Sequence, residues 1–136
     1  MARLAVVVAV QARLDALWTR CTVFDENSQG STPEDGSPFL QLQFPFADAA
    51  RISFGVPGAN THREEGAFRL LLNMERGTGG AQGRAWAAEL EAMFLNKHFS
   101  GVETFVPSSA SSDDANENGQ YFTYAVAVPY RFDFLG

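Results

Sequence analysis

The sequence predicts an α+β fold: a mainly antiparallel sheet of four strands, or slightly more, with two helices packed on one face. Two segments with helical apolar spacing are separated along the chain by segments in which apolar and polar residues alternate. A sheet buried on both faces would give continuous apolar runs, so the alternation indicates that one face is covered. The 136 residues, 46% of them hydrophobic, fit a single domain over residues 1–136.

The chain begins with a predicted helix over residues 3–20. Its apolar side chains recur at intervals of three and four residues, which places them on one helix face. That stripe consists of Val7, Val10, Leu14, Leu17, Trp18 and Cys21. Residues 25–38 are polar and rich in turn-forming residues, so they predict a mobile polar loop.

Two strands follow, joined by a long irregular stretch. Residues 39–46 alternate between large apolar residues and Gln or Pro, which is the period of a half-buried strand. Pro45 has no N–H to give to a sheet, so it favours a strand end or a sheet edge. Residues 47–64 are interrupted by Gly and Pro and predict a second mobile loop, and residues 66–76 predict the next strand.

The second half of the chain is also predicted to contain one helix followed by two strands. After a glycine-rich turn, residues 81–96 predict a helix and residues 102–106 predict a short strand. Residues 107–119 are almost all Ser, Asp, Asn and Glu, which predicts a third mobile loop. Residues 122–134 alternate large apolar residues with small or charged ones and predict the longest strand.

Charge and composition oppose several classes of function. The chain has 10 Lys and Arg against 16 Asp and Glu, a formal net charge of −6, which disfavours gripping nucleic acid or docking on an anionic membrane. No apolar run reaches the roughly 20 residues of a membrane span, and the run from Leu4 to Val10 is short for a signal peptide. Cys21 is the only cysteine, so no intramolecular disulfide can form.

No motif in the sequence predicts catalysis, a cofactor or a metal. Residues 77–83 lack the lysine of a P-loop and the third glycine of a dinucleotide fingerprint, so we interpret them as a tight turn. Asp114 begins a stretch like the start of a calcium loop, but Ala125 stands where the bidentate glutamate is needed. His62 and His98 have no second ligand at zinc spacing. The sequence therefore offers no residue to nominate as catalytic.

The aromatic content is larger than one small two-layer core needs. With 12 Phe, 3 Tyr and 2 Trp in one domain, we expect part of the apolar surface to be buried between identical subunits. Phe44, Phe46 and Phe54 flank the irregular stretch, where the core of a single chain is least able to reach. Arg51 and Arg63 lie in the same stretch, either as partners in ion pairs between subunits or as solvated surface charges.

Several short segments, spread over nearly the whole chain, share their pattern with one family. They are Leu17-Trp18, Pro38-Phe39-Leu40-Gln41-Leu42, Arg63-Glu64-Glu65-Gly66-Ala67-Phe68, the glycine turn, Met93-Phe94 and Gly119-Gln120-Tyr121-Phe122. On these segments the chain resembles the tail terminator, or tail completion, proteins of long-tailed bacteriophages and related gene transfer particles. One departure is that Glu75-Arg76 precedes the glycine turn, where the family strand often runs into Pro and Gly.

The resemblance implies a structural virion protein with no catalysis and no cofactor. Such proteins form a ring, expected here to be a homohexamer, that caps the tail tube and stops its polymerisation. The ring offers a docking surface to head-completion or neck proteins, and DNA passes through its lumen without specific binding. The expected location is the tail or neck of the virion, after assembly in the host cytoplasm.

The acidic charge of the chain fits such a ring. A negative lumen repels DNA phosphates and lets the duplex slide, so we expect Asp113, Asp114 and Glu117 to face the lumen or the rim. Two alternatives stay open. One is a head–tail connector or another neck protein, and the other is a small-ligand-binding or enzymatic α+β domain with a pocket between helix and sheet.

Overall fold

The structure is a computed structural model that describes residues 2–24, 37–55, 57–75, 80–108, 111–113 and 121–136. Within these ranges the chain forms two helices and one sheet, which confirms the predicted α+β class. The elements are α1 (Leu4–Leu17), β1 (Thr22–Phe24), β2 (Phe39–Arg51), β3 (Thr61–Glu75), α2 (Gly80–Phe94), β4 (His98–Phe99), β5 (Val102–Thr104), β6 (Ser111–Asp113) and β7 (Tyr121–Leu135).

The sheet is larger than predicted and mixed in direction. Six of its strands follow the order β1-β2-β3-β7-β5-β4, and β6 also pairs with β7. β1 runs parallel to β2, whereas the other pairs are antiparallel. The prediction of four, mainly antiparallel strands missed strands of only two or three residues, because such short segments show no apolar alternation.

The core lies between one face of the sheet and both helices. The register aligns Leu40 with Leu72 and Leu72 with Tyr124, so alternate residues of β2, β3 and β7 project to the same side. Buried side chains of both helices join this cluster. They are Val6, Ala9, Val10, Leu14, Ala87, Leu90, Met93 and Phe94. The two helices therefore cover one sheet face. Of the apolar stripe predicted for the first helix, Val10, Leu14 and Trp18 are buried, whereas Leu17 is 49% exposed.

The helices run antiparallel to each other across the sheet. Trp18, just after α1, meets Trp86 near the start of α2 edge to face, with ring centroids 5.9 Å apart. Nearer the middle of α1 and the end of α2, the Arg13 side chain donates from Nε to the carbonyl oxygen of Met93 at 3.0 Å. α2 approaches β7 closely at Gly83, where an added Cβ would overlap the ring of Tyr124.

A β-bulge reverses the side-chain pattern of β2. Gln43 pairs with Arg69 but Phe46 pairs with Ala67, so β2 has one extra residue over this interval. Phe44 therefore points into the core, whereas Phe46 points to the opposite face, although the simple alternation placed both on one face. Pro45 lies within the bulge and beyond Gln41, the last residue of β2 that pairs with β1.

The structure differs from the predicted loops in two places. Within residues 47–64, β2 continues to Arg51 and β3 begins at Thr61, so only the middle is irregular. The small and polar residues at positions 47–51 have low strand propensity and are held by pairing with β3. Within the predicted loop 107–119, β6 pairs with β7. Of the predicted loop 25–38, residues 25–36 lie outside the described residues.

Candidate assembly surfaces

Beyond the helix-covered rows, β2 and β3 continue as a hairpin that we call the distal hairpin (residues 46–55 and 57–66). Its base depends on Gly66, which stands opposite the bulge of β2. A Cβ added to Gly66 would lie 2.6 Å from the carbonyl oxygen of Phe46 and 3.0 Å from Cα of Ala47. Only glycine lets the two strands approach this closely without displacement, so Gly66 fixes where the distal hairpin begins.

Hydrogen bonds hold the tip of the distal hairpin although it is irregular. The Ile52 N–H donates to the carbonyl oxygen of Thr61 at 2.9 Å, and the Thr61 N–H donates to Oγ of Ser53 at 2.7 Å. Asn60 and Gly136 exchange two backbone hydrogen bonds of 3.1 and 2.9 Å. The tip is therefore joined both to itself and to the end of β7, which gives its side chains defined positions.

Large apolar side chains of the distal hairpin are exposed to solvent. Phe54 is 95% exposed, Phe46 60% and Ile52 48%. The guanidinium of Arg51 lies over the ring of Phe54, 5.6 Å from the ring centroid. Exposed aromatic and aliphatic side chains along one hairpin of a small domain are typical of a protein–protein contact surface.

Ion pairs cross the sheet face that the helices leave uncovered. Arg63 donates from Nε to Asp133 at 2.8 Å and from Nη2 at 3.1 Å, which makes a two-point contact. Arg131 contacts Oε2 of Glu103 in the same way, at 3.1 and 2.9 Å. Arg63, which we predicted for contacts between subunits, is therefore already paired within its own chain.

The first of these pairs shifts the ionisation of both partners. The hydrogen bond from Arg63 lowers the pKa of the Asp133 carboxyl, and the bond to Asp133 raises the pKa of the Arg63 guanidinium. Both groups face solvent, so water and salt screen the attraction and its contribution to stability is small. The pair orders the side chains of this face more than it stabilises the fold.

A buried carboxylate joins the start of α1 to the base of the distal hairpin. Glu64 is only 2% exposed, and its Oε2 accepts hydrogen bonds from the Tyr130 hydroxyl at 2.7 Å and the Arg3 N–H at 3.4 Å. Burial and the nearby Glu64 raise the pKa of the Tyr130 hydroxyl, which therefore stays a donor. The Arg3 guanidinium also lies over the Phe134 ring, 3.4 Å from its centroid.

A second exposed apolar surface lies between α2 and the segment after β5. This groove, which we call the α2 groove, has a volume of about 340 Å³. Its lining residues are Ala88, Glu91, Ala92, Leu95, Val106 and Pro107. Leu95 and Val106 are 44% and 64% exposed, so the apolar side chains of the groove are open to solvent.

The walls of the α2 groove are fixed by the buried side chain of Thr104. Its hydroxyl donates to the carbonyl oxygen of Phe94 at 2.6 Å and accepts from the Lys97 N–H at 2.9 Å. The Phe105 N–H donates to the carbonyl oxygen of Pro129 at 3.0 Å, which ties the segment after β5 to β7. The end of α2 and the opposite wall are therefore held at a constant separation.

Comparison with known proteins assigns the chain to a family. A sequence model of the phage tail terminator protein family matches residues 5–130. The chain belongs to the phage tail terminator family. Members are structural proteins of phage tails, so this chain is a structural component of the virion. Its match spans both helices and most of the sheet, including the distal hairpin and the α2 groove.

A solved structure has a similar fold. It is 22% identical in sequence, with a TM-score of 0.63, and the similarity covers 98% of this chain and 97% of that chain. Its name states no function. No curated protein matches the sequence of this terminator-family chain. In the described residues of the chain, neither helix has the length and apolar character needed to cross a membrane.

The predicted interface residues of this terminator-family chain fall into two groups. Phe46, Arg51 and Phe54 are exposed together on the distal hairpin. Phe44 instead packs in the core against Phe68, with ring centroids 5.8 Å apart, and Arg63 is paired with Asp133. Sequence reasoning missed the α2 groove, although the apolar residue Leu95, the first after α2, was a visible signal.

The other predicted positions have mixed outcomes. Asp113 ends β6, whereas Asp114 and Glu117 lie outside the described residues. His62 stacks on Phe134 with ring centroids 5.2 Å apart, so it is partly covered. Burial raises the pKa of the Cys21 thiol, which is partly buried beside the core. In the described ranges no His, Cys, Asp and Glu side chains are grouped to hold a metal ion.

Proposed function

We propose that this protein caps the phage tail tube as a homohexameric ring, stops tube polymerisation and offers a docking surface to head-completion or neck proteins. The observation that carries the proposal is the match to the tail terminator family over residues 5–130. The exposed distal hairpin and α2 groove support it, because a subunit that assembles with copies of itself needs apolar surface beyond its own core.

The acidic character of the chain supports a lumen through which DNA passes without being held. Six copies of a chain with a net charge of −6 surround the duplex with negative charge and oppose binding to its phosphates. We assign Asp113, Asp114 and Glu117 to the lumen or the rim of the ring. Replacing all three with Lys is expected to slow DNA ejection, and ejection at the wild-type rate would refute the lumen assignment.

Deletion of the gene tests tube capping directly. Without a terminator, tube polymerisation has no stop, so electron micrographs should show overlong tails that lack heads. Supplying the wild-type chain from a plasmid should restore both tail length and head attachment. Tails of normal length without heads would contradict termination and favour a connector or neck protein. Normal, infectious particles would contradict any role in the tail.

A further inference from the structure

The distal hairpin and the α2 groove lie at opposite edges of the same sheet. β2 and β3 form the hairpin, and β7 separates it from β5, which leads into one wall of the groove. Backbone hydrogen bonds fix that wall along β7, from Phe105 to Pro129 at 3.0 Å and from Ser108 to Ala127 at 2.8 Å. One chain cannot bring the two surfaces together, whereas two adjacent copies can.

We propose that Phe54, at the tip of the distal hairpin, inserts into the α2 groove of a second copy of this chain. This proposal rests on the ring described under the proposed function and names the contact that builds it. Phe54 is 95% exposed, so nearly its whole ring is available to a partner. In the groove, Ala88 and Ala92 leave space between the larger Leu95 and Val106, so an aromatic ring finds apolar walls there.

Charge gives the contact its orientation. The Arg51 guanidinium lies 5.6 Å from the centroid of the Phe54 ring, so it reaches the groove together with the inserted ring. Glu91 is the charged residue among those that line the groove. An arginine beside the inserted ring and a carboxylate at the groove are complementary, and such pairs set the register of an interface.

The geometry of this contact allows a closed ring. The two surfaces differ and lie at opposite edges, so every subunit offers a hairpin on one side and a groove on the other. Such a heterologous contact repeats from subunit to subunit and closes when the rotation between neighbours permits. A two-fold dimer would instead bring hairpin to hairpin, which leaves both grooves empty and ends assembly at two copies.

A pair of cysteines tests the contact in the assembled protein. In a Cys21→Ser background, Phe54→Cys and Ala92→Cys are combined in one chain and treated with an oxidant or a short bifunctional thiol reagent. We expect a ladder of covalent oligomers that ends at the number of subunits in the ring. Each single variant should give no ladder. The matched control combines Phe54→Cys with Leu4→Cys, an exposed apolar position on α1, and should also give none.

A charge exchange tests the orientation independently and does not need a new bond. Arg51→Glu and Glu91→Arg should each raise the concentration at which half of the chains are assembled by about tenfold. The double variant should return that concentration to within about threefold of the wild-type value. If the loss of assembly in the double variant equals the sum of the losses in the two single variants, the result would contradict a contact between these residues.

The outcomes separate this contact from the ring itself. Rings in electron micrographs without a ladder from the paired cysteines would overturn the contact and leave the ring. A covalent dimer from Phe54→Cys alone would show hairpin against hairpin and overturn it as well. If neither the purified chain nor purified tails contain a ring of this protein, the proposed function and the contact both fail.

Discussion

The strands β2, β3 and β7 pass through two very different environments. In the helix-covered part, Phe68 contacts the rings of Phe44, Phe94 and Tyr130 and is fully buried. In the distal hairpin, Phe54 of similar size is almost fully exposed. Both parts have apolar residues, so composition does not distinguish them; the presence of helices above the sheet does. The covered part stabilises the fold, and the exposed part is available to a partner.

The largest expected effect comes from truncating a phenylalanine in each part. Phe68→Ala removes a fully buried ring and should lower the free energy of unfolding by about 3–5 kcal/mol. Phe54→Ala should change it by less than about 0.5 kcal/mol. Guanidinium unfolding of both variants, at a concentration where light scattering reads a monomer, measures the difference. Equal losses would show that Phe54 is packed within the chain.

The next effect tests the boundary between the two parts. Gly66→Ala forces Cβ against the Phe46 carbonyl oxygen, so it should cost about 1–3 kcal/mol in stability. Faster amide hydrogen exchange should accompany this loss in the distal hairpin more than in the helix-covered rows. Gly55→Ala is the control, because its Cβ would meet only Asn60 at 3.4 Å, an ordinary contact. A Gly66→Ala variant with wild-type stability would disprove the close approach.

The sequence predicted the helix-covered part better than the distal part, for a physical reason. Alternation and helical spacing indicate which side chains contact the core. In the helix-covered part they correctly predicted the two helices and the three long strands. In the distal part no helix covers the sheet, so the side chains follow no apolar period and residues 47–51 did not indicate a strand. The bulge between Gln43 and Phe46 also reversed the pattern, which no alternation can foretell.

Only some of the residues of the candidate surfaces were predicted, because local sequence patterns do not show tertiary contacts. Of the aromatic residues predicted to lie between subunits, Phe46 and Phe54 are exposed in the single chain, and their burial between subunits stays a prediction. Phe44, one residue before the bulged proline, went into the core, because local strand geometry decides which side it faces. The α2 groove depends on how the segment after β5 turns back along β7, and that is a tertiary contact with no local pattern.

An effect of similar size is expected where α1 meets the base of the distal hairpin. Tyr130→Phe removes a donor to the buried Glu64 carboxylate, leaving the longer Arg3 bond, and should cost about 1–3 kcal/mol. Tyr124→Phe is the matched control, since its hydroxyl has no hydrogen-bond partner among the described residues. Urea unfolding of both variants measures the effect. If the two variants are equally stable, the Glu64 bond contributes nothing beyond packing.

The smallest effect concerns the solvent-facing ion pair of Arg63 and Asp133. The folded state lowers the pKa of Asp133, so the pair adds stability above the carboxyl's unfolded pKa of about 3.9 and loses it as the pH falls through the lower folded value. The Asp133→Asn variant should therefore be slightly less stable than the wild type at pH 7, and the difference should vanish in strong acid. Denaturation midpoints of both proteins between pH 7 and pH 2 test this window.

Two controls make that small difference interpretable. Arg63→Gln should give the same pH profile as Asp133→Asn, because either change removes the same two-point contact. Added salt should reduce the difference at pH 7, since both groups face solvent. A difference that persists unchanged into strong acid would mean that the asparagine alters packing at the end of β7. In that case, the stability of the distal part would depend on tight side-chain packing, as that of the helix-covered part does, and the two parts would differ less than proposed.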